Sequence, residues 1–212
     1  SKGDVVIMSA INFIASVNMT NFLGAKIFLC DVDENTGQMT PKKLIECIER
    51  NKLKKIKLVI TMYLGGNPNN VIEFHKLKKK YNFFLIEDSC HALGSEYKNK
   101  GKYVKIGSCV HSDISTFSLH PVKSITSGEG GFLTTNSKSL AKKFKILRSH
   151  GIKRTSNKKK YWNYDVIFPS FNFRMSDINA SLAYSQIKKL HKFVQRRNYI
   201  ASVYRKKFHN FS

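Results

Sequence analysis

Two hydrophobic patterns alternate along the first part of the chain. Continuous apolar runs predict buried strands over residues 4–9, 25–33, 56–64 and 82–89. Apolar positions at helical spacing predict helices between them, over 13–24, 41–50 and 70–81. Such an alternation predicts an α/β fold, with a mostly parallel sheet sandwiched by helices. In sheets of this kind, binding sites gather beyond the carboxyl ends of the strands.

The later part of the chain predicts shorter elements. In the first part of the chain, Thr40 before Pro41 is a typical helix start, with a capping residue and a proline at the first helical position. In the later part, Ser137 and Ser176 are predicted to begin helices. The remaining predicted elements are short strands over 113–118 and 130–135, a basic loop over 153–163, and a last helix over about 191–208.

Composition narrows the class of protein. With 42% apolar and 12% aromatic residues, the chain can build a buried core. It has no apolar run of membrane-spanning length and does not start like a signal peptide, so we expect a cytoplasmic protein that does not contact a membrane. The formal net charge of +23 would suit nucleic acid. Most lysines lie on helix-like stretches as solvated faces, which leaves nucleic-acid binding as a remote alternative and favours an anionic small substrate.

The first candidate site residues lie at the end of the strand predicted over 82–89. Asp88 and, three residues later, His91 are predicted to lie at the carboxyl edge of the sheet. Each residue also has an ordinary structural explanation, Asp88 as a turn or helix-capping aspartate and His91 as a structural histidine.

Lys123 follows the strand over 113–118, after a His-Pro corner. A lysine held on a tight turn at a sheet edge loses hydration, which frees its amine to condense with an aldehyde. A surface lysine is the alternative, but Gly128, Gly130 and Gly131 permit a close backbone approach that an exposed lysine does not need. A carboxylate, a lysine and a nest of hydroxyls are together what pyridoxal phosphate requires. No metal site is predicted.

Several segments, in order, carry a family resemblance. The segments "GAKIFLCDVD", "IEDSCHALGS", "DISTFSLHPVKSITSGEGG", "LRSHGI" and "FNFRMSDINASL" resemble the landmarks of the DegT-type pyridoxal-phosphate-dependent nucleotide-sugar aminotransferases. The resemblance implies the large domain of fold type I, the aspartate-aminotransferase type. It covers nearly the whole chain, with residues 1–175 as the central part of that domain and 176–212 leading toward a mostly absent C-terminal domain. The chain therefore resembles a fragment truncated at both ends.

The resemblance also implies roles for single residues. Lys123 matches the lysine that binds the cofactor, and Asp88 matches the partner of its pyridine nitrogen. His91 falls near the phenolic oxygen, Ser118 matches a phosphate-binding serine, and Phe13 matches the aromatic residue that stacks on the ring. Phe13 is otherwise explained as a core residue at a helix start.

Asn172 matches an asparagine that reaches the phosphate of the neighbouring subunit, which implies a homodimer with shared active sites. The implied reaction moves an amino group from glutamate to the 4-keto carbon of a UDP-linked 4-keto-6-deoxy-N-acetyl sugar, as in the synthesis of pseudaminic acid or related surface sugars. A dTDP-keto-sugar is the alternative substrate. A non-catalytic remnant is a further alternative, because the missing upstream turn would supply phosphate contacts.

Overall fold

The computed structural model describes residues 1–154 and 162–209 and centres on a six-stranded sheet. Its strands are β1 (Val5–Ser9), β2 (Lys26–Cys30), β3 (Ile56–Met62), β4 (Phe84–Asp88), β7 (Ile114–Ser118) and β8 (Gly131–Thr134). Their order across the sheet is β2-β1-β3-β4-β7-β8. The first five are parallel, and β8 is antiparallel to β7. The loop from β7 to β8 contains no crossover helix, so the chain returns antiparallel.

The helices begin close to the predicted positions. They are α1 (Ile14–Phe22), α2 (Pro41–Arg50), α3 (Val71–Tyr81), α4 (Lys138–Leu147), α5 (Asp177–Ile187) and α6 (Leu190–Phe208). The side chains of Thr40, Ser137 and Ser176 accept hydrogen bonds from backbone amides three residues on, and thereby cap α2, α4 and α5. In the part of the chain described, no helix combines the length and apolarity that crossing a membrane would require.

The core lies on two faces of the sheet. One face packs against α2 and α3 and contains the larger cluster of buried side chains, which includes Ile7, Cys30, Leu44, Cys47, Val59, Phe74, Leu77 and Leu85. The opposite face is smaller, with buried Val6, Met8 and Ile60 against Val17 of α1. The predicted α/β fold with a helix-covered, mostly parallel sheet is therefore confirmed.

Two small hairpins stand apart from the main sheet. Strands β5 (Glu96–Asn99) and β6 (Lys102–Lys105) form the first, which the hydrophobic pattern did not predict. Strands β9 (Ile152–Arg154) and β10 (Tyr164–Val166) form the second. The basic loop predicted over 153–163 is therefore wrong at its start, because residues 153 and 154 pair with β10. Residues 155–161 of that loop lie outside the described part of the chain.

Candidate active site

The carboxyl ends of β4 and β7 carry the first part of the site. The two strands are parallel neighbours, and Asp88 pairs with Thr116. Since side chains alternate along a strand, Ser118, two residues beyond Thr116, lies on the same sheet face as Asp88. The backbone amide of Ser89 donates to the Thr116 carbonyl at 2.9 Å and extends this pairing past the end of β4. The sheet register thus places Asp88 and Ser118 on one face of the same edge.

Asp88 is a buried carboxylate, with 8% of the residue exposed. Its Oδ1 accepts a hydrogen bond from the backbone amide of Cys90 at 3.1 Å. The predicted turn role is therefore real, and the same side chain also contributes charge to the site. Burial, followed by the charge of Asp88, raises the pKa of the Cys90 thiol to about 12. Cys90 consequently stays protonated at neutral pH and does not compete as a nucleophile.

Lys123 and His91 complete an electrostatic cluster with Asp88. Burial lowers the pKa of the half-buried His91, and the positive charge of Lys123 lowers it further, while Asp88 opposes the shift. The charge of Lys123 also acts on Cys90. His91 is therefore close enough to feel both charged groups, and its imidazole is neutral at neutral pH. Asp88 and Lys123 therefore both lie within electrostatic range of His91.

The hydroxyls of the lysine loop, residues 119–130, are mostly used by the loop itself. Thr126 Oγ1 donates to the Leu119 carbonyl at 2.9 Å, and Ser127 Oγ donates to the Glu129 carbonyl at 2.9 Å. The protons of these two hydroxyls are therefore used within the loop. Ser118 differs, because its Oγ accepts from the His120 amide at 3.2 Å and keeps its own proton for another acceptor.

Phe13 lies at the N-cap of α1 and is 72% exposed. The alternative explanation of Phe13 as a core residue is therefore wrong. Its backbone amide donates to Asn12 Oδ1 at 2.7 Å, which orients the turn into α1. Phe13 follows β1, whose carboxyl end lies at the same sheet edge as that of β4.

Asn172 lies in a different part of the chain. It forms an isolated bridge with Ser149, and its Oδ1 accepts from the Arg174 amide at 3.1 Å. The side chain is exposed, and none of the contacts described for it is with Asp88, His91 or Lys123. The structure therefore does not bring Asn172 into the cluster within one chain.

A buried polar network under the site was not predicted. Glu87, 3% exposed, points to the sheet face opposite Asp88. Tyr63 Oη donates to Glu87 Oε1 at 2.8 Å, and Ser115 Oγ donates to Glu87 Oε2. The network ties β4 and β7 to the residue after β3, just below the level of Asp88. The charged Glu87 near the end of an otherwise apolar strand was the sequence signal that could have indicated this network.

The donor set at this edge fits pyridoxal phosphate. Among the described residues, five buried side-chain atoms have no hydrogen-bond partner, namely Ser9 Oγ, Asn12 Nδ2, Ser89 Oγ, Ser108 Oγ and Ser112 Oγ. Asn12 follows β1 and Ser89 follows β4, so these two polar atoms lie at the carboxyl edge of the sheet, whereas side-chain alternation puts Ser9 on the face opposite Asp88. Buried polar groups without partners are costly, and a polar ligand would supply partners. In contrast, no group of three potential ligands is arranged to hold a metal ion in residues 1–154 and 162–209.

Solved structures share this fold. A Helicobacter pylori aminotransferase, PseC, involved in the biosynthesis of pseudoaminic acid, matches with a TM-score of 0.84 and 31% identity, over 98% of this chain and 52% of that one. A structure described as a sugar aminotransferase from Streptococcus pneumoniae, in its PLP form, matches with a TM-score of 0.84 and 28% identity, over 99% and 55%. The sheet with its helices is therefore that of the pyridoxal-phosphate aminotransferases.

Sequence comparison identifies the family of the chain. The model of the DegT/DnrJ/EryC1/StrS aminotransferase family matches residues 1–212, and the chain belongs to this family. It is 41% identical over 214 residues to a UDP-4-amino-4,6-dideoxy-N-acetyl-beta-L-altrosamine transaminase of Campylobacter jejuni, covering 100% of this chain and 54% of the relative. It is also 36% identical over 206 residues to a GDP-perosamine synthase of Escherichia coli, covering 97% and 52%. The chain thus spans about half the length of these curated relatives.

Proposed function

We propose that this chain is part of a pyridoxal-phosphate-dependent aminotransferase. The enzyme moves an amino group from glutamate to the 4-keto carbon of a UDP-linked 4-keto-6-deoxy-N-acetyl sugar, for pseudaminic acid or a related surface sugar. Residues 1–175 are the central part of its cofactor-binding domain, and residues 176–212 lead toward a smaller second domain. The 41% identity to the altrosamine transaminase supports the choice of substrate.

One observation carries the proposal: a buried carboxylate lies within electrostatic range of a lysine at the carboxyl edge of a parallel sheet. The charges of Asp88 and Lys123 both act on His91 and Cys90, which lie between them in the chain. A buried acid next to an amine fits a ligand with a basic ring nitrogen at one end and an aldehyde at the other.

The bound cofactor supplies an electron sink for reactions at the carbon that carries the amino group. Asp88 would hold a proton on the pyridine nitrogen of the bound cofactor. Lys123 would bind the cofactor and carry the proton to and from the substrate carbon, and neutral His91 would face the phenolic oxygen. The Ser118 hydroxyl would donate a hydrogen bond to the phosphate, and the exposed ring of Phe13 would stack on the cofactor ring.

The functional unit in this proposal is a homodimer with shared active sites. Asn172 is exposed and lies outside the cluster of its own chain, which suits a role at the phosphate of the partner subunit. We further propose that the protein works in the cytoplasm. All four cysteines are free thiols in the structure, as a reducing compartment would leave them.

The nucleotide of the substrate is the part of the proposal most open to test. The relatives include both an altrosamine transaminase and a GDP-perosamine synthase. Turnover should therefore be measured with UDP-, dTDP- and GDP-linked keto sugars under identical conditions. The proposal expects the highest kcat/KM for the UDP-linked N-acetyl sugar, and a preference for dTDP would select the alternative substrate.

The variant Lys123→Ala of the full-length protein tests the chemistry. We expect turnover to fall by about 10,000-fold, because the variant loses both the cofactor-binding amine and the proton carrier. The visible absorbance of bound cofactor should disappear as well. Lys105→Ala, which removes an exposed lysine on β6, is the matched control and should leave both properties unchanged. A yellow, active Lys123→Ala enzyme contradicts the proposal.

A further inference from the structure

Helix α6 contacts both of the loops that carry the candidate site. Leu190, Val194 and Arg197 recur at helical spacing and therefore share one face of α6. The first two lie against Gly94, in the turn that follows His91. A Cβ at Gly94 would lie 3.0 Å from Val194 Cγ2 and 3.5 Å from Leu190 Cδ1, so the turn after β4 rests directly on the helix.

The third residue of this face reaches the lysine loop. One terminal nitrogen of Arg197 donates to the backbone carbonyl of Lys123 at 2.9 Å, and it lies 3.5 Å from the Val122 carbonyl. The backbone amide of Lys123 donates to the His120 carbonyl at 3.0 Å. The peptide groups on either side of the lysine Cα are therefore both held, one by the loop and the other by α6.

A second helix holds the far end of the same loop. Asn179 Nδ2 of α5 donates to the Ser127 carbonyl. Gly130 has φ +152° at the end of the loop, and a Cβ there would lie 2.6 Å from Met175 Cε, so the chain passes closely under the segment that precedes α5. The loop is thus fixed at Ser127 by α5, while Arg197 fixes it at Lys123.

We propose that Arg197 is a positioning residue, through which α6 holds the Lys123 backbone in register with the turn that carries Asp88 and His91. The role assigned to Lys123 rests on the proposed function, whereas the clamp itself is a property of the fold. The physical reason is geometric. A reacting amine displaced by about 1 Å loses up to about 100-fold in rate, and one charge-assisted hydrogen bond to the lysine carbonyl restrains that displacement.

The chain offers a matched set of variants of the full-length protein. Arg197→Gln removes the clamp, and Arg197→Lys keeps a positive charge and one donor. Arg196→Gln removes the same charge from the next position on α6, where the guanidinium lies over the ring of Tyr199 at 5.2 Å. Both arginines are exposed, so we expect all three variants to fold.

Hydrogen–deuterium exchange of the cofactor-free variants tests the clamp. We expect the amide of Lys123 to exchange at least about 10-fold faster in Arg197→Gln than in the wild type, because a hydrogen bond to a charged group is lost there. Arg197→Lys should recover part of the protection, and Arg196→Gln should match the wild type. Equal protection of the Lys123 amide in Arg197→Gln and Arg196→Gln would refute the proposal that Arg197 restrains the lysine loop.

Covalent labelling tests the effect on the lysine. Each variant is incubated with pyridoxal phosphate, reduced with borohydride, and analysed by mass spectrometry of the peptide that contains Lys123. We expect labelling about 10-fold slower in Arg197→Gln and unchanged in Arg196→Gln. A wild type that is not labelled at Lys123 refutes the proposed function but leaves the exchange result standing. If the wild type is labelled at Lys123 and the two variants are labelled at equal rates, the positioning role of Arg197 is refuted and the proposed function is not.

Discussion

The network beneath the site leads to a prediction whose size follows from the structure. Tyr63 is 2% exposed, and its hydroxyl donates to Glu87 Oε1 at 2.8 Å, while Ser115 donates to the other oxygen. The substitution Tyr63→Phe keeps the ring and its packing and removes only the hydroxyl. The Glu87 carboxylate then remains buried with one hydrogen-bond donor fewer.

The expected loss of stability is large for the removal of a single oxygen atom. A hydrogen bond to a charged group contributes about 1.5–3 kcal/mol, and the cost of a buried acceptor left without its donor falls at the upper end of that range. We therefore expect the free energy of unfolding to fall by about 2–3 kcal/mol. Domains are stable by only about 5–15 kcal/mol, so this is a substantial share of the total.

Urea unfolding at neutral pH measures the effect. With an m-value of about 2 kcal/mol/M, the midpoint should move by about 1–1.5 M. Tyr97→Phe is the control, because the hydroxyl of half-buried Tyr97 bonds to His111 Nδ1 at 2.6 Å rather than to a carboxylate, and a neutral bond contributes about 1 kcal/mol. A double-mutant cycle with Glu87→Gln isolates the pair. The reasoning would be refuted if Tyr63→Phe destabilised the protein no more than Tyr97→Phe does, and if the cycle gave no coupling energy between Tyr63 and Glu87.

The same network predicts a pH dependence. Burial, followed by the charge of Glu87, raises the pKa of Tyr63 well above its usual value. The unfolded chain loses the tyrosine proton near pH 10, whereas the folded chain retains it. Stability from this group is therefore complete below about pH 10 and is lost as the pH rises further. Tyr63→Phe should lose less stability between neutral pH and strongly alkaline pH than the wild type does.

Two other predictions concern an ion pair and the histidine of the site. Lys78 Nζ and Asp113 Oδ1 are 2.7 Å apart and partly buried, and Asp113 Oδ2 also accepts from the backbone of β4, so Asp113→Asn should lower the free energy of unfolding by about 1–2 kcal/mol in a urea titration. Because burial and Lys123 lower the pKa of His91, the histidine makes the folded state less stable as the pH falls through its unfolded value of about 6.5. An NMR titration should show the pKa of His91 rising in Lys123→Ala, and an unchanged value would mean that the two side chains are not neighbours.

The sequence by itself determined the strands and helices of the large sheet and the types of residue at the candidate site. Apolar periodicity located the strands and helices of the large sheet, because burial imposes a period of two or 3.6 residues on the chain. The capping residues Thr40, Ser137 and Ser176 marked helix starts to within one residue, since a short polar side chain satisfies amides that the helix leaves open. Asp88 and His91 stood out because they follow a predicted buried strand, and Lys123 because it follows a strand and a His-Pro corner.

Only the tertiary structure decided which of these residues meet. Strand order brought β4 beside β7, and this adjacency places Asp88 with Lys123, although 35 positions separate them in the sequence. Periodicity contains no information on strand order, which depends on the packing of whole layers. The same holds for Glu87 with Tyr63 and for Arg197 with the Lys123 carbonyl, where one hydrogen bond spans 74 positions. A contact between distant segments exists only once the fold has closed the chain between them, and local patterns therefore do not reveal it.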